Sequence, residues 1–243
     1  MQHHPGTTVK PPTWHQIARR FADERDCLAA FLAMETAEVL AGVKPANLLN
    51  LVDRSQSCGR NLYRLWQRYG RTLPAAGSLT WRELPGRRGS LLLLVYRART
   101  LAALLARPAT QAVLRRAGYA DPADPEAALD ELARRFAAAE FPHEIGVFLG
   151  YPLKDVAAFL GWVDLPFTCQ ALWRIYGRPE RSLALADAIR RSRCRMAQKL
   201  SSAAPLECLQ STPGRDFFCP DIENDLHFQG RGHPSCVSQS SAA

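Results

Sequence analysis

The stretch that decides the fold is residues 141–162, which read FPHEIGVFLGYPLKDVAAFLGW. This pattern predicts two short helices around a tight corner. Pro142 suits the first position of a helix, because its φ angle is already helical and it has no backbone N–H to lose. Gly150 supplies the left-handed residue that commonly ends a helix, and Pro152 begins a second helix that Gly161 closes. Both helices of the predicted corner therefore have well-marked ends.

Two candidate catalytic residues, His143 and Glu144, lie in the first turn of the predicted corner. Glu144 would fall at the third helical position, where a carboxylate caps a backbone N–H and meets the positive end of the helix dipole. The same dipole favours a neutral imidazole at His143, the form that accepts a proton or binds a metal. Adjacent helical residues point about 100° apart, so the two are not expected to form a hydrogen-bonded dyad. Val147 stands where an H-E-x-x-H motif would place its second histidine.

Five further residues are candidate ligand-binding residues, because they stand next to the ends of predicted helices and strands: Lys44, Asn47, Tyr96, Arg97 and Tyr151. The alternative is a structural role for each of them. Lys44 and Asn47 would then shape a turn, and His143 would bond to a backbone carbonyl. The prediction of a functional site therefore depends on several of these side chains meeting in one pocket.

The whole chain predicts an α+β fold, in which a small, mostly antiparallel sheet of three to four strands packs against multiple helices. Strands are predicted at 46–52, on both sides of the turn PGRRG at 85–89, and at 169–176. Helices are predicted over 13–40 with a break near 23–26, and over 58–69, 98–106, 109–117, 125–139 and 179–199. We expect a single domain over 13–200, a disordered N-terminus at 1–12 and a disordered tail at 201–243.

Several blocks carry a resemblance to a known family: AGVKPANLL at 41–49, LLVYRA at 93–98, LRRAGYADP at 114–122, FPHEIGVFLGYPLKDV at 141–156 and ALWRIYG at 171–177. Together they resemble an uncharacterised bacterial family, catalogued as domain of unknown function 3793, over about residues 30–195. The resemblance implies a shared fold and no particular reaction. A His-Cys pair often precedes the Lys-Pro-Ala-Asn block in this family. Here those positions hold Glu35 and Thr36, so the resemblance implies no thiol or metal role at that place.

The charge distribution raises the question of nucleic-acid binding. The net charge is +8, and residues 1–200 carry 29 basic and 18 acidic groups. A basic body attracts polyanions, although an arginine-rich and alanine-rich composition gives the same excess. The corner at 143–161 also resembles a helix-turn-helix, but its second helix offers only Lys154, Asp155 and two alanines to base edges. Nucleic-acid binding therefore stays an alternative that the sequence does not favour.

The composition narrows the class of protein. With 47% hydrophobic residues over 243 positions, the chain can bury a sizeable core. Its longest apolar run, SLLLLVY at 90–96, has the length of a strand, and the N-terminal sequence lacks the apolar region of a signal peptide. We therefore expect a cytoplasmic protein without a membrane partner. The motifs for P-loop hydrolysis, Rossmann dinucleotide binding and α/β-hydrolase chemistry are absent.

Metal ligands are sparse in the sequence. The seven cysteines form no C-x-x-C pair. One set near the C-terminus has ligand types but irregular gaps: Cys208, Cys219, His227, His233 and Cys236. His143 is the only histidine between residues 16 and 226, so we predict no metal site and identify no cofactor.

The sequence thus predicts the binding of a small ligand or a protein partner through a pocket near Lys44, Asn47, Arg97 and His143. One alternative is an enzyme that uses His143 as acid or base, with Lys44 or Arg97 holding an anionic group. The other is nucleic-acid binding through the helical corner at 143–161.

Overall fold

The structure is a computed structural model that describes residues 11–56, 58–73, 79–138 and 140–210. Its strands form one three-stranded and one two-stranded antiparallel sheet: β1 Ala46–Val52, β2 Thr80–Pro85 and β3 Ser90–Tyr96, then β4 Phe167–Gln170 and β5 Arg174–Tyr176. The described residues also form eleven α-helices: α1 Trp14–Ile17, α2 Glu24–Glu35, α3 Ala37–Leu40, α4 Leu62–Tyr69, α5 Ala98–Leu105, α6 Pro108–Arg116, α7 Pro125–Phe136, α8 Ile145–Phe148, α9 Leu153–Phe159, α10 Glu180–Lys199 and α11 Pro205–Leu209. The predicted α+β fold is confirmed.

The most apolar strand, β3, is the middle strand of the larger sheet, whose order is β1-β3-β2. Its Leu93 pairs with Leu49 of β1 and with Glu83 of β2. The predicted hairpin between β2 and β3 is confirmed, and Gly89 ends its turn at φ +77°, where an L side chain would be strained. A strand paired on both edges with both faces covered reads as a continuous apolar run, which is the pattern of SLLLLVY.

Side chains alternate along each strand and so point to the two faces of the sheet. Helices cover both faces. Leu49 and Leu93 point to a core formed with α1, α2, α4, α10 and α11. Ala46 and Leu94 point to a second core, formed with α5 to α9. The sheet therefore separates two helical layers, and the corner lies in the second of them.

The predicted helix over 13–40 is divided into shorter helices. After α1, a 3₁₀ turn at Ala18–Arg20 changes the direction of the chain, and Asp23 caps α2 by accepting from the backbone N–H groups of Arg25 and Asp26. The break therefore falls just before the predicted position. A second break separates α2 from α3 at Thr36, whose hydroxyl donates to the carbonyl of Leu32 at 2.7 Å.

The predicted single strand at 169–176 is wrong, because this segment folds back on itself as the hairpin of β4 and β5. The backbone N–H of Ala171 donates to the carbonyl of Trp173 at 3.0 Å, which closes the turn. Gly177 ends the hairpin at φ +59°, as a strand-closing glycine should.

A helix lies beyond the predicted domain boundary at residue 200. Helix α11 packs on α2, and its Cys208 and Leu209 are completely buried in the first core. Cys208 is therefore a core residue, while the other four members of the irregular Cys/His set lie outside the described residues. The same is true of residues 1–10 and 211–243, for which disorder was predicted. None of the helices in the described ranges combines the length and the hydropathy needed to cross a membrane.

Candidate functional site

The corner at 141–162 contains α8 and α9, which are joined by residues 149–152. Gly150 has φ +74°, and a Cβ added there would lie 2.5 Å from Pro45 Cδ, so only glycine fits. The backbone N–H of Tyr151 donates to the carbonyl of Gly146 at 2.9 Å and completes the turn after α8. The helix begins later than predicted, because residues 142–144 form a turn that precedes it.

Glu144 does not cap α8, contrary to the prediction. Its side chain is buried and accepts from the Nη1 of Arg135 at 3.1 Å and from the hydroxyl of Tyr119 at 3.3 Å. Burial, reinforced by this carboxylate, raises the pKa of Tyr119. The guanidinium of Arg135 also lies 4.5 Å from the centroid of the Tyr119 ring. Glu144 therefore joins α8 to α7, and it does not face the same surface as its neighbour His143.

His143 is exposed and lies between two aromatic rings. Its ring centroid is 5.4 Å from that of Phe141 and 5.1 Å from that of Phe159. Both phenylalanines are unusually exposed, at 49% and 44%. Within the described part of the chain, the imidazole nitrogens have no hydrogen-bond partner, so the expected bond to a backbone carbonyl is not formed.

These three rings stand at a cavity of about 290 Å³ with an almost wholly apolar lining. Its remaining lining residues come from β1, the corner and the second hairpin: Leu48, Ile145, Gly146, Leu149, Tyr151, Asp155, Val156, Trp173 and Arg174. Tyr151 stacks on Trp173, with 4.7 Å between centroids and 23° between planes. We call this space the corner cavity.

Asp155, in the wall of the corner cavity, accepts four hydrogen bonds and has no capacity left for a ligand. The donors are its neighbour and three groups from the second hairpin and α10: Lys154 Nζ at 2.7 Å, Trp173 Nε1 at 2.9 Å, the Tyr176 N–H at 3.0 Å and the Ser182 hydroxyl at 2.6 Å. Lys154 also donates to the carbonyl of Tyr176 at 2.6 Å. Both charged side chains are buried, so the expectation that Lys154 and Asp155 face base edges is wrong.

Next to Tyr151 lies a group of interacting polar side chains, Glu38, Lys44, Asn47 and Arg193, which we call the charge network. Glu38, Lys44 and Asn47 are buried, and Arg193 is half-buried. Lys44 Nζ donates to Asn47 Oδ1 at 3.0 Å, lies 4.0 Å from Glu38 Oε1 and sits 5.1 Å from the centroid of the Tyr151 ring. Arg193 of α10 donates to both carboxylate oxygens of Glu38, at 3.2 and 3.3 Å. Burial lowers the pKa of Lys44 to about 8, although Glu38 opposes the shift, and burial also raises the pKa of Tyr151.

Arg97 and Tyr96 belong neither to the lining of the corner cavity nor to the charge network. Arg97 Nε and Nη2 donate to the carbonyls of Val39 and Leu40, at 2.8 and 2.9 Å, and so bind the C-terminal end of α3. Tyr96 is a core residue of β3. Their predicted place in a common pocket with His143 is therefore wrong, because the two residues lie on the sheet and under α3.

The structure thus brings together only part of the predicted set. His143 and Tyr151 line the corner cavity, and Lys44 and Asn47 support Tyr151 from behind. Sequence reasoning missed Phe141, Phe159 and Trp173. The two phenylalanines flank the predicted corner, and their apolar side chains in exposed positions were the available signal. Trp173 had none, because it reaches the cavity through a hairpin that was predicted as one strand.

Comparison with known proteins agrees with the resemblance seen in the sequence. No curated protein and no solved structure matches the chain. Residues 32–210, about three quarters of the chain, match the family described as "Protein of unknown function (DUF3793)", a range that contains the corner, the charge network and α11. The chain belongs to this family.

Proposed function

We propose that this protein binds a small, largely apolar ring compound that carries one hydrogen-bonding group in the corner cavity. The observation that carries the proposal is the position of His143, whose imidazole has no partner among the described residues and stands at an apolar cavity between Phe141 and Phe159. A polar group in such a place supplies orientation to a bound ligand, while the rings supply apolar contact.

The size and the walls of the cavity limit the ligand. About 290 Å³ lies just below the range of roughly 300–1,000 Å³ that is typical of small-molecule sites. A compound of one or two fused rings suits this volume. Tyr151 and Trp173 offer stacked ring surfaces, and Asp155 holds Trp173 in place through the indole N–H. Little rearrangement is needed for binding, which reduces its entropic cost.

A binding role for His143 is better supported than a catalytic one. A histidine that acts as a general base is usually oriented by a second group, such as a carboxylate on its other nitrogen. The nearest carboxylate in sequence, Glu144, bonds to Arg135 and Tyr119 instead. We therefore assign His143 the role of a ligand-contacting residue.

The proposal is tested with indole as the probe, on the full chain labelled with ¹⁵N. The indole N–H of Trp173 reports on the corner cavity. The indole N–H of Trp66, which donates to Glu83 at 2.8 Å in the other core, serves as a reference signal that should not shift. We expect a saturable shift of the Trp173 signal alone. His143→Gln and Phe159→Ala should each weaken binding about fivefold or more, the equivalent of one hydrogen bond or one apolar contact.

Phe167→Ala is the matched control, because Phe167 is exposed at 56% and does not line the cavity. Its binding of indole should stay within about twofold of the unmodified chain. An unmoved Trp173 signal, or equal weakening by the control, would refute the proposal. Native mass spectrometry of the purified chain then identifies the natural ligand as an added mass. The fraction of the chain that carries this mass should be smaller in His143→Gln.

A further inference from the structure

A second cavity, of about 410 Å³, is lined in part by Arg193 of the charge network. Its lining residues include members of α1, α2 and α10, together with Leu172 in the turn of the hairpin of β4 and β5. We call it the α10 cavity. None of the residues predicted from the sequence as a site lines it, and it does not share a lining residue with the corner cavity.

One wall of the α10 cavity is aromatic and fixed. Trp14 is buried and meets Phe31 edge to face, with 5.4 Å between centroids. Its Nε1 donates to Gln56 Oε1 at 2.9 Å. Because this bond occupies the carboxamide oxygen, the NH₂ group of Gln56 remains as a donor at the cavity. A flat ring therefore has a preformed surface on which to pack.

The charges at the cavity do not cancel. Arg193 is paired with Glu38 at 3.2 Å and with Glu35 at 3.6 Å, and Glu38 also lies 4.0 Å from Lys44. Two carboxylates thus balance the positive charges of Arg193 and Lys44. Arg190, one helical turn before Arg193, also lines the cavity and is partly buried. It has no ion pair or hydrogen bond within the described ranges, so one positive charge is left over.

We propose that the α10 cavity binds a small organic anion, with its carboxylate or phosphate group on Arg190 and its ring against Trp14 and Phe31. A guanidinium donates two parallel hydrogen bonds to either group, and partial burial strengthens this attraction relative to a fully exposed arginine. The NH₂ group of Gln56 adds a neutral donor. The site is independent of the corner cavity, so either proposal can fail without the other.

The experiment titrates phenyl phosphate into the ¹⁵N-labelled full chain and follows the indole N–H of Trp14, assigned through Trp14→Phe. The Trp14 signal should shift with saturation, while the signals of Trp173 and Trp66 stay unmoved. Arg190→Gln should weaken binding about tenfold or more, the equivalent of a charge-assisted hydrogen bond. Because Arg190 has no polar partner among residues 11–56, 58–73, 79–138 and 140–210, this variant should fold like the unmodified chain, which circular dichroism checks.

Arg195→Gln is the matched control, since it removes the same charge from an exposed position of α10 outside the cavity. It should leave the dissociation constant within about twofold. Equal weakening by both variants would mean that phenyl phosphate responds only to net charge, and the proposal would be overturned. A Trp14 signal that does not shift, or a shift at Trp173 instead, would overturn it as well.

Discussion

The corner at 141–162 and the segment at 35–47 both carry the polar residues that first suggest a functional site, yet they use them differently. In the segment, Lys44 and Asn47 bond to each other, and Glu38 bonds to Arg193. Its charged residues all have partners, and Glu38 and Lys44 are also buried, while Glu35 is half-buried beside Arg193. In the corner, Asp155 follows the same rule, but His143 does not: it is exposed, bonded to nothing among the described residues and surrounded by rings.

This difference separates two explanations for the presence of a polar residue: the stability of the fold and contact with a ligand. A buried charge is tolerated only if partners replace the water that it loses, so a complete set of partners is explained by folding alone. An exposed imidazole keeps its water, so the need to replace lost hydrogen bonds does not explain why His143 lies among aromatic rings. Three tests, given in order of the expected effect, examine whether this distinction holds.

Replacing Asp155 by Ala should have the largest effect. The change removes the acceptor of four hydrogen bonds and leaves the buried Lys154 ammonium without its counter-charge. We expect the free energy of unfolding to fall by about 3–5 kcal/mol, measured by urea unfolding with circular dichroism. The control is Asp187→Ala, which breaks an exposed ion pair with Arg191 and should cost less than about 1 kcal/mol. Similar losses for both would show that burial with partners is not what distinguishes Asp155.

Lys44 gives the charge network a pH dependence. The pKa of this buried lysine is about 8, compared with 10.5 in the unfolded chain, because burial outweighs the attraction of Glu38 and Arg193 repels it. Between these values the native state binds fewer protons than the unfolded chain, so the free energy of unfolding rises with pH. The cost of burying the charged amine is fully present below pH 8 and is relieved by pH 10.5. The gain is about 3 kcal/mol.

Lys44→Met removes this titration and keeps an unbranched side chain against Tyr151. Unfolding in urea at several pH values from 8 to 10.5 should therefore give a smaller rise for the variant than for the unmodified chain. Other groups that titrate in this range are common to both chains and cancel in the difference. If the free energy of unfolding changed equally with pH in both chains, Lys44 would be solvated in the native state. Water would then reach the charge network.

Much of the fold could be predicted, since it depends on local patterns. The run SLLLLVY, the turn before Gly89 and the prolines and glycines of the corner each act within a few residues, and they gave the sheet and the corner. Helix α11 and the second hairpin were missed because their stability comes from distant partners. Cys208 is buried against α2, and the N–H of Tyr176 is held by Asp155.

The candidate site was less predictable for the same reason. Exposure, the direction of a side chain and the identity of its partner depend on tertiary packing. Lys44 and His143 look equally functional in the sequence, but only one of them is buried with partners. Arg190, which has no ion pair within the part of the chain that the structure describes, could not be told from the other arginines of α10, because the pairing of Arg193 with Glu38 spans 155 positions of sequence.

The smallest effect, and the sharpest test, comes from the neighbours His143 and Glu144. Glu144→Gln weakens the bonds from Arg135 and Tyr119 to a buried carboxylate, so the free energy of unfolding should fall by about 1–3 kcal/mol. His143→Gln removes only ring contacts at the surface and should change it by less than about 0.5 kcal/mol. Both are measured by urea unfolding at pH 7. An equal loss in the two variants would make His143 a structural residue, because the stability of the corner would then depend on its packing between Phe141 and Phe159, and the corner would no longer differ from the charge network.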